Sequence, residues 1–148
     1  MSAKESLQFV DTNILVYAYD SSSGEKHQFA NTLLKRLWEH KSGCLSVQVL
    51  QELYVSLTRK VAHPVDLEPA SQIIADLGTW PMHIPDGADV LGAIRIQQHY
   101  QLSFWEAMII RSAAEMGCAL VWSEDFSNGQ VYEGVKVINP LGETLDIA

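Results

Sequence analysis

Along this chain, short apolar runs alternate with longer stretches whose apolar residues recur three and four positions apart. Leu7-Gln8-Phe9-Val10, Gly43 to Val47, Cys118 to Trp122 and Val135 to Ile138 are too short for helices and predict strands. Pro81 to Pro85, a run enclosed by two prolines, predicts one more. Helical spacing begins at Asp11-Thr12-Asn13 and runs on until the loop Ser21 to Gly24. It returns over Lys26 to His40, with Phe29, Leu33 and Leu37 on one face. From Val47 to Lys60 the residues Val47, Leu50, Leu53, Tyr54, Leu57 and Val61 keep the same period, until His63-Pro64 breaks the ladder. Three further helices are predicted from about Asp66 or Leu67 to Leu77, from Asp86 to Tyr100 and from Ser103 to Met116. Gly78 closes the first and Gly117 the last. Strands alternating with helices imply an α/β sandwich around a mainly parallel sheet. In such sheets ligands collect beyond the carboxyl ends of the strands.

The polar residues that follow the strands therefore carry the functional question. Asp11 and Asn13 follow the first strand, and Glu52 lies early in the helix after the second. Glu106 falls in the first turn of the helix before the fourth strand, and Ser123-Glu124-Asp125 follow that strand. Carboxylates brought together repel, which is tolerable mainly around hard cations. Mg²⁺ or Mn²⁺ favours oxygen ligands, and a pair of such ions drives phosphodiester hydrolysis in many sites.

Four segments resemble the motifs of PIN domains, and most closely those of VapC-type toxins of toxin–antitoxin pairs. They are Val10-Asp11-Thr12-Asn13-Ile14-Leu15, Gln51-Glu52-Leu53, Ser103-Phe104-Trp105-Glu106-Ala107 and Trp122-Ser123-Glu124-Asp125-Phe126. The likeness spans about residues 7 to 140, in the family's order and spacing. It implies a PIN-like three-layer sandwich, a single domain over residues 1–148, and a Mg²⁺- or Mn²⁺-dependent endoribonuclease. It also implies an RNA substrate, a cognate antitoxin protein and a homodimer. By the same likeness Asp11 is the central metal ligand, Glu52 the second acid and Asp125 the acid after the fourth strand, with Asn13 and Ser123 as polar companions. Glu106 occupies the place where the family usually has Asp, one methylene longer, which bears on a site built for near-octahedral Mg²⁺.

Each of these residues also has a plain structural role open to it. Asp11 and Asn13 suit a helix start, and Glu52 the edge of an apolar face. Ser103-Phe104-Trp105-Glu106 reads as a capping box, and Asp125 to Gly129 as a turn. Glu124 is expected to face water. Ser46 and Ser123 are strand-end hydroxyls. Trp105 and Trp122 could stack on bases, but core or dimer packing is the commoner use; Trp38 and Leu34 are candidates for a partner-facing surface. Arg111 is the basic residue of interest, because it shares a helix with Glu106.

Composition narrows the classes. With 148 residues and a formal net charge of −8, the chain is not one that binds nucleic acid mainly by neutralising phosphates. Five scattered histidines lack zinc-ligand spacing. Cys44 and Cys118 lie in strand-like apolar runs and are expected to be buried thiols. No apolar run reaches the ~20 residues of a membrane helix, and Met1 to Asp11 has no signal-peptide core. A cytoplasmic location without membrane attachment is the expectation. No Gly-rich phosphate loop is present. Two readings stay beside the ribonuclease: a regulatory or RNA/protein-binding module on the same fold, weakened by Glu106, and a phosphohydrolase of small esters.

Overall fold

The structure is a computed structural model and describes residues 6–141. Residues 1–5 and 142–148, which the expected 1–148 domain and the signal-peptide reading also cover, lie outside the described part. The strands are β1 (Gln8–Val10), β2 (Gly43–Ser46), β3 (Met82–His83), β4 (Leu120–Trp122), β5 (Val131–Tyr132) and β6 (Val135–Ile138). They form one sheet in the order β3-β2-β1-β4-β6-β5, with every neighbour parallel except β5 and β6. The helices are α1 (Thr12–Tyr19), α2 (Glu25–His40), α3 (Val47–Arg59), α4 (Leu67–Leu77), α5 (Gly87–Tyr100) and α6 (Phe104–Glu115), with a short 3₁₀ turn at Ser21–Ser23.

The sheet order fixes where a site can form. From β1 the chain steps outward to β2 and β3, then returns to place β4 on the other side of β1. Right-handed crossovers put the helices before and after this reversal on opposite faces, which makes three layers. The reversal leaves a crevice at the carboxyl ends of β1 and β4. Phe9, Leu45, Val121 and Val137 form the buried centre, packed against Leu15, Leu33 and Leu37 and against Ala107 and Ile110.

Local signals explain most helix ends. Ser46 caps α3, its Oγ accepting the Val49 N–H at 3.4 Å. Capping boxes start both α5 (Asp86 with Asp89) and α6 (Ser103 with Glu106). Strand β5 was not legible in the apolar pattern. It is two residues long and is held by a hairpin whose turn, Glu133-Gly134, has positive φ at both positions. Leu34 belongs to the core, not to a surface, and Trp38 rests edge-on against Trp80 at 5.3 Å. Cys44 and Cys118 are free, buried thiols.

Arg111 does not turn towards the acids. Its Nε donates to Asp89 Oδ1 at 2.9 Å and its Nη2 lies 3.2 Å from Glu115. Asp89 is buried and also meets His83 Nε2 at 3.2 Å, while His83 Nδ1 lies 2.7 Å from Ser112 Oγ. The backbone N–H of Asp86, with Arg111 and His83 beside it, holds the Asp89 carboxyl below the usual range. This network fastens α5 and α6 to the edge strand β3. Arg111→Met is therefore expected to destabilise the fold by roughly 2 kcal/mol in urea unfolding, less than for a fully buried pair because Arg111 is partly exposed. An unchanged midpoint would show that the network is not structural.

Candidate functional site

The crevice at the ends of β1 and β4 is closed by hydrogen bonds between their following loops. Asp11 is buried; its N–H donates to Trp122 O at 2.9 Å, continuing the strand pairing by one residue. Its Oδ1 accepts the Thr12 N–H at 2.7 Å and its Oδ2 accepts the Ser123 hydroxyl at 2.7 Å. Ser123 is buried too, and its Oγ accepts from the Asp125 N–H at 3.1 Å and from Asn13 Nδ2 at 3.4 Å. Asn13 Oδ1 in turn accepts the Glu124 N–H at 3.4 Å. Asp11, Asn13, Ser123 and the start of Asp125 thus form one bonded unit.

Glu52 joins this unit from α3. Its Oε2 accepts the Thr12 hydroxyl at 3.1 Å, and its Oε1 accepts Gln48 Nε2 at 2.7 Å. Thr12 and Gln48 were not singled out in the sequence. Their signals were there: Thr12 sits inside Asp-Thr-Asn, and Gln48 precedes Glu52 by one helical turn, where side chains meet. Burial pushes the Asp11 carboxyl up to about 7. The hydrogen bonds from Ser123 and Thr12 oppose that rise, and the charges of Asp125 and Glu52 add to it. The two neighbouring carboxylates therefore make Asp11 harder to ionise.

Glu106 is engaged at its own helix start. Its Oε1 accepts the Ser103 N–H at 2.9 Å while Ser103 Oγ accepts the Glu106 N–H at 3.2 Å, so the carboxylate is engaged in the capping box. Its helix still reaches the site, because Trp105 O accepts Gln48 Nε2 at 3.3 Å. Glu124 does not simply face water: it accepts from the Tyr17 hydroxyl at 2.5 Å and pairs with Lys26 at 3.4 Å. Trp122 is half-buried and donates its indole N–H to Gln8 at 2.8 Å, a packing role. Trp105 is not part of the core, being 64% exposed, because the second position of α6 points away from the sheet.

Among the described residues, no three His, Cys, Asp or Glu side chains stand at ligand spacing around one point. The donor chemistry nevertheless fits a hard divalent cation. Asp11, Glu52 and Asp125 offer oxygen only, they repel one another, and the ion pairs among the described residues lie elsewhere. No helix among the described residues is long and apolar enough to cross a membrane.

Comparison with known proteins bears on the fold. No curated protein matches the chain. Two similar solved structures are the Mycobacterium tuberculosis toxin VapC20, which cleaves the sarcin–ricin loop, and a toxin–antitoxin complex from Klebsiella pneumoniae. The first is 20% identical, with 80% of this chain and 91% of that one covered and a TM-score of 0.60. The second is 18% identical, with 90% and 97% covered and a TM-score of 0.67. At that identity the likeness establishes the fold. The family model for the PIN domain matches residues 9–132, most of the chain. The chain belongs to the PIN domain family.

Proposed function

We propose that this protein is a metal-dependent endoribonuclease, the toxin of a toxin–antitoxin pair that blocks translation by cutting RNA. The observation that carries this reading is the buried Asp11, braced from two strand ends, with Glu52 and Asp125 close enough to raise its pKa. The RNA-cleaving activity of VapC20 and the toxin–antitoxin complex support the substrate class and an antitoxin partner. A single domain over residues 1–148, a homodimer and a cytoplasmic location complete the proposal.

Asp11, Glu52 and Asp125 would hold Mg²⁺ or Mn²⁺, with Glu106 as a fourth carboxylate once it leaves its cap. A divalent cation bound there lowers the pKa of water and steadies charge on the phosphoryl oxygens. The chain's own residues supply orientation. Thr12 and Ser123 fix both oxygens of Asp11, and Thr12 and Gln48 fix both oxygens of Glu52. Asn13 braces the β4 loop through Ser123 and the Glu124 backbone.

The test is incubation of the purified chain with total bacterial RNA in Mg²⁺, in Mn²⁺ and in EDTA, with Asp11→Ala alongside. Discrete fragments are expected with either cation, and none in EDTA or with the variant. Fragments that persist in EDTA would refute metal dependence. A second reading, a catalytically weakened RNA- or protein-binding module, rests on the commitment of Glu106 to its cap. It predicts no cleavage by the natural chain and a gain of cleavage in Glu106→Asp. That variant should fold normally, since α5 builds the same box with Asp89.

A further inference from the structure

Beside the acids, a groove of about 480 Å³ runs along α3 and is walled on its other side by Trp105. That volume is in the range of small-ligand sites. Gln48, Glu52, Ser56 and Lys60 follow one another at four-residue intervals along its floor, with Val55 beside them. Glu52 belongs both to the groove and to the acid cluster, so the groove is continuous with the candidate site. Lys60 lies eight residues beyond Glu52, roughly 12 Å along the helix axis.

Three features of the groove are available to a ligand among the described residues. The Trp105 indole is 64% exposed and meets Phe104 edge-on at 5.0 Å, so most of the ring is open to a ligand. Gln48 is only 8% exposed, and its amide donates to Glu52 and to Trp105 O. Its Oε1 nevertheless accepts from no donor, and buried acceptors are rarely left so. Lys60 is an exposed cation at the far end. A ring face, an acceptor without a donor and a cation match the three parts of a nucleotide: the base face, its N–H edge and its phosphate. The groove's continuity with the acid cluster through Glu52 favours the nucleotide over a peptide.

We propose that this groove receives an unpaired nucleotide of the RNA next to the phosphate that is cut. The base stacks on Trp105, its N–H edge supplies the donor that Gln48 Oε1 lacks, and Lys60 meets the neighbouring phosphate. Single-stranded RNA is read in this way elsewhere, by stacking on aromatic side chains and by hydrogen bonds to base edges. The inference rests on RNA as the substrate class and adds the form in which the RNA is held: unpaired beside the cut.

The test separates binding from cleavage. A fluorescein-labelled 12-nucleotide single-stranded RNA of mixed sequence, and the same length carrying abasic riboses, are titrated in Ca²⁺ with the natural chain, Trp105→Ala and Trp105→Phe. Thermal melts check that each variant folds. Stacking strengths of 1–3 kcal/mol per base correspond to about a tenfold loss with Trp105→Ala on the mixed-sequence RNA. Trp105→Phe should recover most of it, and the abasic RNA should bind all three proteins equally weakly. Equal weakening of both RNAs, no weakening of either, or no RNA binding would each overturn the inference. A groove that serves a protein partner would give the second of these. Cleavage of the mixed-sequence RNA in Mg²⁺ is scored separately. The expected binding pattern without cleavage would keep the subsite and refute the nuclease; cleavage without the pattern would do the reverse.

Discussion

Asp11→Asn is expected to abolish RNA cleavage while making the metal-free protein more stable. The loss of activity should be at least about 100-fold, the upper end of what removing a mere outer-shell partner costs a metal site. The gain in stability follows from burial. Folding moves the Asp11 carboxyl from 3.8 to about 7, so between those values the folded chain holds more protons than the unfolded one. Stability therefore falls as the pH rises from about 4 to 7, and the whole loss stands above 7. A shift of that size corresponds to roughly 4 kcal/mol. Asparagine keeps the shape and the acceptor for the Thr12 N–H, but it removes the acceptor for the Ser123 hydroxyl, which returns about 1 kcal/mol.

Urea unfolding in EDTA at pH 8 and pH 5 checks the prediction. The variant should exceed the natural chain by about 3 kcal/mol at pH 8 and by less than about 1 kcal/mol at pH 5, where Asp11 is neutral in the fold but ionised in the unfolded chain. Taking the difference between two chains at each pH cancels the five histidines. Mg²⁺ or Mn²⁺ should raise the melting temperature of the natural chain, more at pH 8 than at pH 6, and leave that of the variant almost unchanged. Equal stability of the two chains at pH 8 would mean that Asp11 carries no uncompensated charge. The metal reading would then lose its main physical support.

What the sequence made legible was mostly local. The capping box at Ser103, the stop at His63-Pro64 and the closures at Gly78 and Gly117 act within one helical turn. Each places an element end where its residues require it. The acids could be found by the same means, because a parallel sheet sends its strand ends to one edge. Their hydrogen bonds could not. Thr12 meets Glu52 across 40 residues and Ser123 meets Asp11 across 112, and nothing in a linear pattern states such pairings. Arg111 is a case in point: the sequence marks it as a helix-mate of Glu106, and only the fold pairs it with Asp89 on a neighbouring helix. Trp105 shows the converse. Its apolar type suggested core or dimer packing, and its position at the start of α6 keeps it out of the core.

Gly43 is the sharpest instance of a residue whose reason lies far away in sequence, and Gly43→Ala is expected to destabilise the protein by about 3 kcal/mol, at the upper end for overpacking. A Cβ at this position would lie 2.2, 2.5 and 2.7 Å from three ring carbons of Trp80. The ring has little room to retreat, being 8% exposed and packed against Trp38. For a chain of this length such a loss lowers the melting temperature by roughly 10 °C. The effect should reach the site, because Gly43 opens β2, β2 ends at the Ser46 cap of α3, and α3 carries Glu52 and Gln48. Activity should therefore fall at temperatures well below the new midpoint. The decisive control is a double-mutant cycle with Trp80→Leu, in which the indole is removed. In that background Gly43→Ala should cost less than about 1 kcal/mol, since the added methyl then meets space and not a ring. A full cost with leucine at position 80 would show that β2 itself, and not Trp80, demands glycine here.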